Sequence, residues 1–180
     1  MSRNWRWFLP AYIWCLPMTL AGFVISLVFY KARYWHWHDG ILTCVAGTSQ
    51  DGTTRIWGKP NAQTLGWIVI YDTLDNRLMV DLRVHEACHV AQAFCGSIFG
   101  LVLTPILFAT LGWSPLLGLG LGGFVGGLGF AALYGILFIY LLIRQGTGWY
   151  WAYRANPFEI QAYTIQDKFI ENPGSRPWGV

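Results

Sequence analysis

Charge is what this chain has least of. Only 12% of its 180 residues are Asp, Glu, Lys or Arg, while 54% are hydrophobic and 17% aromatic. That charged share is about half the usual one for a soluble protein, which excludes an ordinary soluble globule and points to a bilayer. Acid is scarcer still, since Glu86, Glu159 and Glu171 are the only three glutamates. A second Glu-x-x-His to partner Glu86-x-x-His89 is absent, which excludes a di-iron carboxylate site. The four histidines are too few for the histidine-rich sites of membrane desaturases and hydroxylases. Basic residues are scattered and the net charge is only +3, so there is no footprint for nucleic acid. No small-x-small cleavage site follows the first apolar stretch, which argues against a cleaved signal peptide. The four cysteines give no disulfide framework: Cys15 lies in an apolar stretch, and Cys88 and Cys95, seven residues apart on one helix, are about 10 Å apart. Cys44 is left as a partner for one of them in an oxidising compartment.

What fills the chain instead is long apolar runs. Ala11 to Tyr30 is twenty residues without a charge, flanked by Arg3 and Arg6 on one side and Lys31 and Arg33 on the other. It has the length to cross a hydrocarbon core of about 30 Å. Gly96 to Ile143 is a further 48 residues without a charge, enough for two crossings. Gly112-Trp113-Ser114-Pro115 combines helix breakers with an interfacial Trp and marks the hairpin tip, leaving spans near Ser97–Leu111 and Leu116–Ile143. Gly118, Gly122 and Gly126, with Gly123 and Gly127, are spaced for close helix packing, within the chain or against a second copy as a homo-oligomer. A flexible Gly-rich loop before a shorter span is the plainer alternative. Aromatic clusters at Trp5, Trp7 and Phe8, at Tyr34, Trp35 and Trp37, and at Trp149, Tyr150, Trp151 and Tyr153 fall where spans meet headgroups. Three crossings put residues 31–95 and 144–180 on the same side, and the excess of basic residues there leans toward the cytoplasm.

The polar chemistry concentrates in His85-Glu86-Ala87-Cys88-His89. HExxH on a helix sets two imidazoles about 40° apart around the axis, close enough to share one metal, with a carboxylate beside them. Residues 64–71 read as a β-strand, Asp72 to Asn76 as a turn, and a helical pattern starts near Leu78 with Val84, Cys88, Ala91 and Cys95 as its apolar stripe. The same helix has the composition to run on into the membrane through Gly96 and Gly100. Cys88 lies on the apolar flank and reads as a buried thiol. Asp81, one turn before His85, is a candidate hydrogen-bond partner for its second ring nitrogen, or a solvated acid at a helix start.

A catalytic zinc site takes three protein ligands and an open position for water. Glu159 is the strongest third candidate. Asn156-Pro157-Phe158-Glu159 reads as a helix start, and the hairpin returns the chain to the side and depth of the motif helix just before it. Its plain reading is a capping-box residue answering Asn156. Glu171 falls in an expected loop that opens an irregular tail, and His36 and His38 alternate with Trp35 and Trp37 in what reads as an interfacial cluster.

His85-Glu86-Ala87-Cys88-His89 with the downstream Glu159-x-x-Ala162 resembles the gluzincins, the zincin metallopeptidases whose third ligand is a glutamate. The chain is also similar to small HExxH membrane proteins of bacteria and phages. The first resemblance covers the strand of residues 64–71, the motif helix and the segment around Glu159, and has no counterpart for the hairpin. It implies that His85, His89 and Glu159 hold Zn²⁺, that Glu86 takes a proton from the attacking water, and that the substrate is a polypeptide, here a membrane-associated one. The tetrahedral oxyanion then needs a further electrophile. Tyr163, one turn after Glu159, is the candidate, with a packed interfacial tyrosine as the plainer reading. Substrate strands in zincins align on a strand edge, a role for Trp67–Tyr71.

The expected architecture is therefore an α-helical membrane protein of about three transmembrane helices with a small α+β zincin-like layer at the interface. Residues 1–30 form the N-terminal segment and first span, 31–95 the strand and HExxH helix, 96–143 the transmembrane hairpin, and 144–180 the third-ligand helix and tail. Residues 31–95 and 144–170 make one catalytic unit. The expected function is a zinc-dependent protease of the bacterial inner membrane with its catalytic side cytoplasmic. The alternative is a non-enzymatic membrane structural or interaction protein whose metal site is structural or degenerate.

Overall fold

The computed structural model describes residues 16–38, 41–47, 62–145 and 148–172. The expected N-terminal features (Arg3, Arg6, the aromatics at 5, 7 and 8, and residues 11–15 with Cys15) and the tail beyond Asn172 lie outside the described residues. The chain runs α1 (Leu16–Val28), β1 (Arg33–His38), β2 (Ile41–Val45), β3 (Ala62–Leu65), β4 (Ile68–Tyr71), α2 (Leu74–Leu78), α3 (Val80–Thr110), α4 (Pro115–Gln145), α5 (Trp149–Arg154) and α6 (Pro157–Glu171).

The strands form one mixed sheet in the order β1-β2-β4-β3. β4 lies parallel to β2 and antiparallel to β3, so it is an interior strand. Its sequence, Ile-Val-Ile-Tyr, is buried throughout. That is the continuous apolar run expected of a strand covered on both faces, and Ile68, Val69 and Ile70 each contribute about 1.5–3 kcal/mol of burial. Period-2 alternation sends Val69 and Tyr71 to a core with Val45, Ala62, Trp67 and Val90 under α3. Ile68 and Ile70 go to the other face with Tyr30 and Cys44, where Ile25 of α1 packs. The sheet is held between α1 and α3.

Residues 64–71 are thus not one strand, as their composition suggests, but most of a hairpin. Gly66 has φ 63°, the sign that a tight two-residue β-turn requires at its first position, and Leu65 pairs with Ile68 across it. The turn also fits closely under α1, where the Thr19 hydroxyl accepts a hydrogen bond from the Trp67 amide at 3.2 Å.

α3 and α4 are an antiparallel pair of 31 residues each. At 1.5 Å per residue each is roughly 46 Å long, and both are long and apolar enough to cross a membrane. Of the expected first crossing, Ala11 to Tyr30, residues 11–15 lie outside the described residues and α1 accounts for thirteen of the rest; among the described residues two helices are long and apolar enough to cross. The hairpin tip falls at the expected breakers. α3 closes in a Schellman motif: the Trp113 amide donates to Phe108 O at 2.8 Å, the Gly112 amide to Ala109 O at 3.1 Å, and Gly112 takes φ 74°. The Phe108 and Trp113 rings meet at 5.1 Å, the apolar contact that completes this cap. Pro115 then occupies the first position of α4, where its missing N–H costs nothing.

The glycines of α4 face α3. A Cβ on Gly118 would come within 2.8 Å of the Pro105 Cα, one on Gly122 within 2.7 Å of the Gly100 carbonyl oxygen, and one on Gly126 would run into the Gly96 carbonyl. The small-residue spacing brings two helices of one chain into backbone contact, and the Gly-rich segment is regular helix rather than loop.

Candidate metal centre

His85 and His89 lie one turn apart on the same face of α3, and their Nε2 atoms are 3.2 Å apart. Glu159 joins them from α6, seventy residues on: its Oε2 is 3.3 Å from His85 Nε2 and its Oε1 3.2 Å from His89 Nε2. These three form the one group of potential metal ligands among the described residues. Three donors held on bonds of 2.0–2.1 Å around a tetrahedral ion stand roughly 3.3 Å apart, so the observed spacing fits one zinc-sized ion.

Local sequence explains how Glu159 arrives. The Asn156 side chain caps α6 by accepting from the Phe158 amide at 3.1 Å, and Pro157 starts the helix. Asn156 also donates to the Tyr134 carbonyl at 3.3 Å, which ties the helix start to α4. Glu159 then stands on the first turn, where a capping box would turn it back to Asn156, but its carboxylate is directed to the histidines and to the Tyr134 hydroxyl, which donates to Oε1 at 2.7 Å. Burial alone would raise its pKa. Hydrogen bonds from His85 and His89, the charge of His89 and the Tyr134 hydroxyl outweigh that and hold Glu159 well below the usual carboxylate range, so it is an anion. Tyr153 is driven the other way, first by burial and then by the Glu159 carboxylate, so its hydroxyl stays protonated.

The tautomer of His89 is fixed from outside. The Gln92 amide nitrogen donates to Phe158 O and to Gln161 Oε1, both at 2.9 Å, so its oxygen faces His89 Nδ1, also at 2.9 Å. Nδ1 therefore carries a proton whatever the charge of the ring, which leaves Nε2 as the nitrogen that can take up an ion. The two Nε2 atoms lie 3.2 Å apart, and the buried anionic carboxylate sets Oε2 3.3 Å from His85 and Oε1 3.2 Å from His89. That donor set suits a cation. We expect Gln92→Ala to leave the fold intact and weaken zinc binding by about 10- to 100-fold, read by competition with a chromogenic chelator.

Glu86, beside His85, is 4% exposed and accepts a hydrogen bond from the Thr64 hydroxyl of β3 at 2.5 Å. Tyr163 lays its ring on His85, centroids 4.4 Å apart, and the Arg154 guanidinium stacks over the same ring at 3.7 Å.

Other expected partners are elsewhere. Asp81 accepts from Gln166 at 3.1 Å, and His85 Nδ1 is buried with no hydrogen-bond partner among the described residues. Helical side chains lean toward the N-terminus, which carries the Asp81 carboxylate away from His85. Cys44, Cys88 and Cys95 are all free, and Cys88 is a buried thiol as expected. Burial, eased by a hydrogen bond with Ser26, pushes the Cys44 thiol up to about 12. β1, which carries His36 and His38, is the opposite edge of the sheet from β3, roughly 14 Å across three strand spacings. Glu171 ends α6 as a helical residue, roughly 18 Å along the axis from Glu159. Trp67–Tyr71 offers no free edge, since β4 is paired on both sides, and the edge strand beside α3 is β3.

Thr64, Gln92, Tyr134 and Tyr153 are the site residues that sequence reasoning passed over. Two carried a signal. Gln92 is three residues after His89 on the same helix face, and Tyr134 is a hydroxyl in a run with almost no polar side chains, where it must find a partner.

No protein-family model, curated protein or solved structure matches this chain.

Proposed function

We propose that this chain is a membrane-embedded zinc-dependent peptidase. The observation that carries the reading is the closure of Glu159 onto His85 and His89 at 3.2–3.3 Å, with Glu86 adjacent in sequence and buried beside them. Exposure of the two long helices supports the membrane: only 22% and 6% of the most apolar stretches of α3 and α4 are covered by the rest of the protein, whereas a core helix of a soluble protein would be mostly covered.

His85, His89 and Glu159 hold the ion. Zinc there supplies a Lewis acid and lowers the pKa of a water to about 7. Glu86 accepts the proton of the attacking water and delivers it to the leaving amine as the C–N bond breaks, so one carboxylate serves both half-reactions. Tyr163, against the His85 ring, is the proposed hydrogen-bond donor to the developing oxyanion. The substrate is a membrane-associated polypeptide, because the hairpin ties the centre to the bilayer.

Burial favours one competing account, a structural zinc site in a non-enzymatic membrane protein: His85 and Glu159 are each only 2% exposed. Elemental analysis of detergent-purified protein tests what the two share. One zinc per chain is expected in the wild type and loss of most of it in Glu159→Ala. A metal-free wild type after zinc repletion would sink both accounts.

A further inference from the structure

Glu86 has two carboxylate oxygens, and a base needs only one of them to face the water. We infer that Thr64 is a positioning residue that holds the idle one, an assignment that rests on the peptidase reading of Glu86.

The geometry comes from the β3–β4 hairpin. The turn at Gly66 fixes the register so that Thr64 pairs with Val69 and Ala62 with Tyr71. Alternation then separates the faces: Gln63 accepts from the Tyr30 hydroxyl at 2.6 Å on the α1 side, while Ala62 packs in the core beneath α3. Thr64 shares the face of Ala62. Its hydroxyl lies 2.5 Å from Glu86 Oε2 and 3.4 Å from the Glu86 carbonyl oxygen. A hydroxyl has one proton, and the shorter distance assigns it to the carboxylate. Oε2 is thereby occupied by a group on a rigid, doubly packed sheet, and Oε1 is left as the oxygen that handles the proton. Nothing else about β3 requires a hydroxyl at this position, since valine fills the same volume and suits a strand equally well.

The test pairs Thr64→Val, Thr64→Ser, Glu86→Met, whose side chain has no oxygen to accept from Thr64, and the double variant Thr64→Val/Glu86→Met, all in zinc-loaded protein in detergent micelles, with fluorescein-labelled casein as probe. Expected for Thr64→Val are one zinc per chain, an unchanged KM and a kcat lower by about tenfold or more, the factor that a hydrogen bond to a charged group carries. Thr64→Ser should recover most of kcat. Thermal midpoints of the metal-free proteins give a readout independent of turnover: the shifts of the two single variants should sum to more than the shift of the double. Equal kcat in wild type and Thr64→Val, a Ser variant as slow as the Val variant, or additive midpoints would each overturn the assignment. A wild type inert toward casein with non-additive midpoints would instead bring down the peptidase reading, leaving the Thr64 bond as a structural contact and the positioning role refuted with it.

Discussion

Glu86→Gln is expected to keep one zinc per chain and lose about 10²- to 10⁴-fold in turnover, the range a positioned general base supplies. The substitution is nearly isosteric. Glutamine retains an oxygen that accepts from the Thr64 hydroxyl, so the contact between β3 and α3 survives in kind, while the capacity to take up a proton is removed. The three groups that could hold an ion are untouched. Casein cleavage with zinc content measured on the same sample checks the outcome. It also separates the two accounts of the site, since a structural metal centre needs His85, His89 and Glu159 and has no use for a carboxylate at position 86. Unchanged proteolysis in a zinc-loaded Glu86→Gln would dispose of the mechanism.

The second large effect is one of sign. Gly100→Ala is expected to lower the thermal midpoint by about 5 °C or more, and Gly120→Ala to raise it by about 1–3 °C. Alanine is the better helix former by roughly 0.5–1 kcal/mol, so at an open position it should stabilise. Gly120 is such a position, with nothing within 4 Å of an added Cβ. At Gly100 the same methyl lands inside 3.0 Å of the Gly122 carbonyl oxygen and the Gly126 backbone. Neither can swing aside as a side chain would, so α3 and α4 must separate, at an overpacking cost of about 1–3 kcal/mol or more. The centre should suffer with the pair. Glu159 is braced by Tyr134 and its helix start is tied to the Tyr134 carbonyl, both on α4, while the histidines ride on α3. Gly100→Ala should therefore also bind zinc less tightly, and Gly120→Ala should not. A common direction for the two midpoints would contradict the packing described.

Much of this was legible in the residues, and the boundary follows the range of the forces involved. HExxH, the Asn156-Pro157 helix start and the Gly112-Trp113-Ser114-Pro115 tip are local signals, written in capping chemistry and helical spacing that need no distant partner. Glycines at every fourth position likewise declared a packing face before its partner was known. The sheet was harder to see. β2 joins the sheet's interior by lying parallel to β4, more than twenty residues downstream, and its other neighbour β1 carries a Trp-His alternation that suits a membrane interface equally well. In the Thr64–Tyr71 run, β-branched and aromatic residues on both sides concealed that Gly66 and Trp67 are a turn. The outer ring of the site was the least legible part. Whether Gln92 meets α6 or Asp81 meets Gln166 depends on how two helices cross, which no single segment encodes.

α3 has one more consequence. It runs as one helix from the histidines to the hairpin tip, so the cluster of potential metal ligands is mounted on a rod of fixed length. His89 stands 21 residues from Thr110, roughly 32 Å along the axis, against a hydrocarbon thickness of about 30 Å. Were the tip seated at one boundary of a bilayer, the His85–His89–Glu159 cluster would emerge just past the other, and its height above the lipid tails would change with the length of those tails. Thicker bilayers would draw the cluster toward the tails and thinner ones would lift it clear.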